Sequence, residues 1–532
     1  MINLNKKHCP GIRYVPGHQV WQYLVALLLL CQPVSAETLS FGIDSFEVSG
    51  ENPLSAQETT KLLGPFAGLQ KNLEDLQSAV QALEQAIHAS GYSFDRVILP
   101  QQSLSDGVIE LKVVPFKVGQ VSIEGAEHHD EANIRASLPG LVEGESPNTR
   151  ELSRSIAVGR KQPSKSTRLT FAASDQTGEV DARIAVKDKK PWQAFSWFND
   201  TGTDETGNTR MGFGLQHSNL FNRDQNAVLT YTLSPEKEDK VAQYGLLYQI
   251  PFYDLGGELN LLYSKSDVDT GTVATFFDVA GKGEVFAGTY TQVFARKGGY
   301  SQELSVSVFD KLFENEIFFD GQPIGVDVRS RPLGLRYSGS LEKPGYQMEF
   351  FLRPQANLPG GSRNDDVIYG LSRAGAKSDW SRLRFALSGR KYMGRWSAEA
   401  QISGQYADEP LIISEQFGAG GIHSVRGFTE REVSGDKGFR YSVQLLAPPV
   451  SKQKIRTLAF IDGGQTHLEG ALPGEIESES ILSTGVGLRW NWSEWVSLVL
   501  DWGYVLNGVD ERRVGGTQEG DSRFHFNLFM RY

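Results

Sequence analysis

Arg426 and Asp462 are the two charged residues whose settings suggest chemistry. Arg426 lies in Ser424-Val425-Arg426-Gly427-Phe428, just after Phe417-Gly418-Ala419-Gly420-Gly421. Asp462 lies in Phe460-Ile461-Asp462-Gly463-Gly464. A strand sends successive side chains to opposite faces, so Phe460, Asp462 and Gly464 share one face. A carboxylate is costly in lipid, so that face must line an interior. A guanidinium matches a carboxylate as a planar fork, and the glycines let the loop fold back into a narrow space. The implied chemistry is ion pairing. A solvated loop arginine is the alternative reading.

Other candidates are weaker. Asp200-Thr201-Gly202 has the local form of an aspartic-protease loop, but such a site needs two opposed carboxylates in matching contexts. Asp462-Gly463-Gly464 is a poor second copy. His128-His129-Asp130-Glu131 offers metal ligands, yet adjacent histidines rarely converge on one ion, and a solvated loop before a helix is the simpler reading. No glycine loop ends in Lys-Ser or Lys-Thr, so no phosphate cradle is expected. Both cysteines, Cys9 and Cys31, fall in the first 36 residues. The rest of the chain has no thiol nucleophile, disulfide or zinc knuckle. No catalytic residue, cofactor or metal is assigned, and the chain does not read as an enzyme.

The elements that would position Arg426 and Asp462 can be read from both ends of the chain. At the C-terminus, Phe524, Phe526, Leu528 and Met530 alternate with His525, Asn527 and Arg531, and Tyr532 ends the chain. An uncapped greasy strand invites aggregation in water. A closed barrel in lipid removes that edge. At the N-terminus, Lys6, Lys7 and Arg13 precede an apolar run from Val20 to Leu30 and a Val34-Ser35-Ala36 exit. This reads as a secretory signal peptide over residues 1–36, too short in its apolar part for a membrane anchor. Leu28-Leu29-Leu30-Cys31 hints at a lipoprotein signal, but Leu30 stands where a small residue is wanted. Losing Lys6, Lys7 and Arg13 with the leader takes the formal charge from −11 to −14. That argues against nucleic acid as a partner. A mean hydropathy of −0.32 excludes a helical membrane bundle but not a barrel, whose strands are half polar.

Between the ends, the chain divides near Pro191. Residues 37–190 contain two strand–helix–helix–strand–strand units of about 75 residues, each enough for a sheet covered by helices. The first is expected to open on one strand from Phe41 to Ser49, with a later strand at Ser93–Leu99. From Trp192 helical periodicity largely disappears, and short alternating segments recur between Gly, Asn, Asp and Pro. At roughly 21 residues per strand and connection, residues 191–532 give about 16 strands, and periplasmic placement of both barrel ends requires an even number. A soluble propeller is the alternative, but no blade-length repeat is present. Asn491-Trp492-Ser493-Glu494 reads as a tight turn, and Gly463–Ser480 and Asn507–Ser522 as long polar loops. Trp490, Trp492, Trp495, Trp502 and Tyr504 suit interfacial girdles.

The loop around Arg426, about residues 412–436, resembles the inward-folded sixth loop of two-partner secretion outer-membrane transporters. These export haemolysins and filamentous haemagglutinins and share a superfamily with barrel-assembly insertases. Phe460-Ile461-Asp462-Gly463-Gly464 is similar to that family's strand motif. Gly91-Tyr92-Ser93, Val97-Ile98-Leu99-Pro100-Gln101-Gln102 and Asp106-Gly107-Val108 resemble its first POTRA domain. Pro191-Trp192 and Asn199-Asp200-Thr201-Gly202 look like the barrel entry. The resemblance implies a mixed fold: two tandem α+β POTRA domains (37–116 and 117–190), then a 16-stranded antiparallel transmembrane β-barrel over 191–532. It implies an outer-membrane protein with periplasmic POTRA domains that exports an unfolded haemolysin- or adhesin-like exoprotein without ATP. Val425, Arg426, Gly427 and Phe428 would form its loop-6 gating motif and Asp462 the lumen partner of Arg426. Phe524, Phe526, Leu528, Met530 and Tyr532 would form the terminal assembly strand, presented to outer-membrane lipid and to the barrel-assembly machinery. A POTRA-containing insertase is the alternative, although insertases usually carry more POTRA domains. A plain diffusion porin would not need the periplasmic units. Many family members carry a plug helix before the first POTRA domain. Here only Glu37-Thr38-Leu39-Ser40 separate Ala36 from the first strand, which leaves no room for one.

Overall fold

The computed structural model describes residues 40–532 apart from 205, 268–281, 315–317, 320–321, 324, 451–453 and 514. The expected leader and residues Glu37 to Leu39 lie outside the described residues. The chain forms two units, one running to Ala86 and including Val97–Val113, the other comprising Ile87–Arg96 and Val114–Tyr532.

In the first unit, the expected opening strand is broken at Asp44. Phe41–Ile43 pairs antiparallel with Gly68–Lys71, whereas Ser45–Gly50 pairs parallel with Val108–Val114. The break has a tertiary cause: the amides of Asp44 and Ser45 both donate to the Gly107 carbonyl. Helix Ala56–Leu63 starts on a capping box, in which Ser55 and Glu58 satisfy each other's backbone amides. In helix Leu73–Ser90, Leu76, Ala79 and Leu83 recur at helical spacing and are fully buried. The strand expected at Ser93–Leu99 is only Arg96–Ile98, because a turn after Gly91 occupies the preceding residues.

The second unit begins with a small α+β layer. Lys117–Glu124 runs parallel to Glu179–Asp188, which pairs antiparallel with Lys165–Ala173. Helices Glu131–Ala136 and Thr149–Gly159 cover this sheet. Val118, Ile134, Leu138, Leu152, Ile184 and Val186 form its core. His129 serves this fold, its ring Nδ1 donating to Asp188 at 3.0 Å. Burial pushes the Asp188 carboxyl up, but the amides of His128, Glu127 and His129 outweigh it and hold the group below the usual carboxylate range.

Among the described residues, sixteen antiparallel strands then close a barrel from Trp192–Asn199 round to Ser522–Arg531. Val328–Ser330 and Pro332–Lys343 are two parts of one of these strands, since both pair with Tyr300–Phe313. No described helix is long and apolar enough to cross a membrane. The terminal strand pairs on both sides, with Val496–Asn507 and with the first strand. Phe524 and its alternating partners take the outer face while His525 is buried on the inner one. Tyr532 lies just past the ladder, its amide donating to the Ala194 carbonyl at 2.7 Å. The polar stretch Gly463–Ser480 is less of a loop than expected. Ile455–His467 continues as strand and Ser478–Asn491 resumes it, because inward-facing polar residues belong in a wet lumen. One helix, Asp366–Ser372, occurs in an external loop of the region expected to lack helices, and Tyr369 anchors it beside Trp380.

The orientation follows from what touches the turns. Lys165 of the soluble layer makes a buried 2.6 Å ion pair with Asp224, in the turn between the second and third strands. Asn133 donates to the same carboxylate, and Tyr253 of the next turn on that side donates to it at 2.6 Å. These turns are therefore on the soluble-domain side. The loop around Arg426, between the eleventh and twelfth strands, opens on the other.

Candidate gating site inside the barrel

The wall of the site is four neighbouring strands: Ile455–His467, Ser478–Asn491, Val496–Asn507 and Ser522–Arg531. Strand alternation decides which residues face inward. Ile461, Val486, Trp502 and Phe524 lie exposed on the outer face. Phe460, Asp462, Ser483, Asp501 and His525, from the alternate positions, are buried inside.

Loop 6 folds onto this wall. Phe417–Ala419 pairs with Val433–Gly435 as a short hairpin. Gly420, Gly421 and Gly427 have φ of 121°, 100° and 96°, where a Cβ is strained, so the reversal of the loop depends on them. Val425 and Phe428 are fully buried with Ala419, Val433, Ile481 and Val505. Two wall glycines permit this approach. A Cβ at Gly503 would stand 2.7 Å from the Gly427 nitrogen, and one at Gly464 would stand 2.9 Å from the Ala419 Cβ.

Arg426 reaches the wall between these apolar contacts. Its Nε and one terminal nitrogen donate to the two Asp462 oxygens at 2.6 and 2.9 Å, and its own amide donates to the same carboxylate at 3.2 Å. The second terminal nitrogen lies 3.5 Å from Asp501. Ser442 accepts a further bond at 3.2 Å. The guanidinium carbon sits 3.5 Å from the Phe460 ring centroid. A cation so placed is attracted by the ring face, so Phe460 and Asp462, on one strand face, hold the same group. Arg426 is 5% exposed and Asp462 not at all. Asp501 is held in turn by a bidentate bond from Arg489 at 2.8 and 2.9 Å.

The structure thus brings together Val425, Arg426, Gly427, Phe428 and Asp462. Of the terminal strand, Phe524, Phe526, Leu528, Met530 and Tyr532 lie apart from this cluster, on the opposite face or beyond the ladder. Asp200 is close to the site, hydrogen-bonded to His525 at 2.7 Å. Sequence reasoning did not single out His525, Asp501, Arg489 or Gly503. Face parity in the last three strands was the available signal, since each stands at an inward position beside an outward aromatic or leucine. It also missed the loop's second anchorage. Glu415, fully buried, pairs with Lys311 at 2.9 Å and Arg382 at 2.7 Å. Asp436 accepts from Arg373 and from the amides of Leu411 and Glu469. The pattern gave no hint of these partners because they come from strands and loops far away in sequence.

The chain as a whole resembles known proteins. Residues 178–490 match the family described as haemolysin secretion/activation protein ShlB/FhaC/HecB. Residues 41–115 match the POTRA domain of ShlB type. The outer membrane transporter CdiB of Dickeya dadantii (strain 3937) is 22% identical over 483 residues, covering 85% of this chain and 81% of that protein. The heme/hemopexin transporter protein HuxB of Haemophilus influenzae is 20% identical over 454 residues, covering 80% and 76%. The solved structure of CdiB from Escherichia coli superposes with a TM-score of 0.71 at 17% identity, covering 94% of this chain and 92% of that one. At that identity the superposition speaks for the fold.

Proposed function

The chain belongs to the haemolysin secretion/activation family of two-partner secretion transporters, and from that premise we propose how it captures and releases its cargo. It is an outer-membrane protein with periplasmic POTRA domains, and its family exports a partner protein across that membrane. In the reading advanced here, the two POTRA domains occupy residues 37–116 and 117–190 and take up an unfolded exoprotein of haemolysin or adhesin type. The open edges of their small sheets can pair with an extended substrate strand. The exoprotein then threads the barrel of residues 191–532 without nucleotide, and folding outside biases its direction.

Loop 6 is the gate in this reading. The observation that carries it is the Arg426 fork on Asp462, buried in the middle of the lumen wall. An ion pair can be exchanged for other polar contacts as a chain passes, whereas a purely apolar plug could not be re-solvated so readily. Barrel assembly machinery and outer-membrane lipid are the partners during biogenesis, acting on the terminal strand.

Deleting the gene and analysing the culture medium and outer membrane by quantitative proteomics tests this function. Loss of one large exoprotein from the medium, with other barrel proteins unchanged, is the expected outcome. Broad loss of barrel proteins from the outer membrane would replace export with insertion.

A further inference from the structure

The barrel closes where its first and last strands meet, and this seam has a short ladder. Pairing runs only from Phe195 opposite Arg531 to Asn199 opposite Asn527. On its other side the first strand is paired along its full length, from Trp192 to Asn199. Beyond the seam ladder a side chain takes over. One Asp200 oxygen accepts the amide of Phe526 at 3.0 Å, so the carboxylate continues the backbone pairing for another step. The other oxygen meets His525 Nδ1 at 2.7 Å. His525 and Asp200 side chains are 2% and 9% exposed.

The far side of the imidazole settles its tautomer. His525 Nε2 lies 2.9 Å from the amide nitrogen of Gly427, which can only donate. Nε2 must therefore carry the lone pair, and Nδ1 the proton given to Asp200. Gly427 is the residue after Arg426 and is pressed against Gly503. One ring thus bridges the last strand, the turn after the first strand and the centre of loop 6.

We propose that His525 is a positioning residue that couples the closing seam of the barrel to the loop-6 gate, with Asp200 fixing the ring tautomer. This rests on the gating reading given above. It predicts one way of loosening the loop: parting the first and last strands removes Asp200 and frees the ring to turn away from the Gly427 amide. The charged and titratable groups facing the ring are Asp200 from the turn, Asp501 directly opposite on the neighbouring strand, and Arg426 and His423 from the loop. Arg426 is committed to Asp462 and Asp501 to Arg489, so Asp200 is the carboxylate left to orient the imidazole.

The test uses the full-length protein in planar bilayers, with heat-modifiable migration as the check on folding. His525→Leu leaves the buried Gly427 amide without its acceptor and should raise the frequency of open events about tenfold, the equivalent of one lost buried hydrogen bond. His525→Gln, whose carbonyl can accept from Gly427 while its amide donates to Asp200, should stay near the parent. Asp200→Ala removes the group that orients the ring and should open as His525→Leu does. A folded His525→Leu channel as closed as the parent overturns the coupling. So does a folded Asp200→Ala channel as closed as the parent, and this variant decides alone if His525→Leu does not assemble. Deleting residues 418–432 separates the two readings. If that deletion leaves conductance unchanged, the gate itself is wrong; if it opens the pore while His525→Leu stays closed, only the coupling is.

Discussion

Arg426 binds through geometry as much as charge. Two of its nitrogens match the two Asp462 oxygens, and its carbon lies over the Phe460 ring. Taking both ions out of water is expensive, so the pair adds little net stability while both members are present. Removing one leaves the other buried and unpaired, at roughly 3–5 kcal/mol. Arg426→Ala is therefore expected to free loop 6 from the wall and to abolish or strongly reduce export. Arg426→Lys should rescue poorly, because an ammonium makes no fork. Exoprotein in the medium, normalised to folded barrel, measures both; parental export by Arg426→Ala would defeat this account. Gly503→Ala probes the same contact from the wall. Its Cβ would stand 2.7 Å from the Gly427 nitrogen, against backbone that has no flexible end to move. We expect that channel to be more open than the parent while folding normally.

At the scale of elements, the terminal strand has two jobs on two faces. Outside, Phe524, Phe526, Leu528 and Met530 meet lipid; inside, His525 meets the loop. A charge on the outer face disfavours insertion by about 2–4 kcal/mol at mid-membrane and less near the interfaces. Leu528→Arg should thus lower the yield of heat-modifiable protein. Deleting Tyr532 should do so more mildly, since its amide makes the last bond to the first strand. Normal yield and migration in both would refute the role of this strand in closure. The aromatic residues divide similarly. Trp490 and Trp492 stack at 5.2 Å beside the turn after Asn491, whereas Trp502 and Tyr504 lie toward the other end of the following strand. That spacing suits two interfacial belts.

At the scale of the whole molecule, the soluble layer preceding the barrel is tied to its turns by a buried cluster. Lys165, Asn133 and Tyr253 converge on Asp224. Burial lowers the Lys165 ammonium even beside that carboxylate. This arrangement puts the soluble layer on the periplasmic side and loop 6 at the opposite mouth. Export by such a molecule needs the lumen emptied, so removing residues 418–432 should raise single-channel conductance and sensitise cells to large antibiotics. Export also needs delivery to the outer membrane. Edman sequencing of the outer-membrane fraction should begin near Glu37, and an intact Met1 terminus in the inner membrane would contradict the reading of the leader.

Period-two alternation after Pro191 was enough to give the barrel, because burial against lipid imposes a local pattern on every strand. Helical spacing before it gave the tandem α+β units, and chain length per strand with the need for an even count gave sixteen. Local pattern also gave face parity, which put Asp462 inward, and motif likeness pointed to Arg426. The structure places those two in contact. What it alone decided are the meetings between distant segments. Asp200 and His525 are neighbours only because the barrel closes, Gly503 must be glycine only because Gly427 lies against it, and Glu415 and Asp436 are ion-paired only because loop 6 turns inward. Strand ends differed as well. Asp44 breaks its strand to reach Gly107, and Gly463–His467 stays extended because polar side chains can face a wet lumen. Periodicity records which medium each side chain faces; it holds no record of which residues the closure of the sheet brings together.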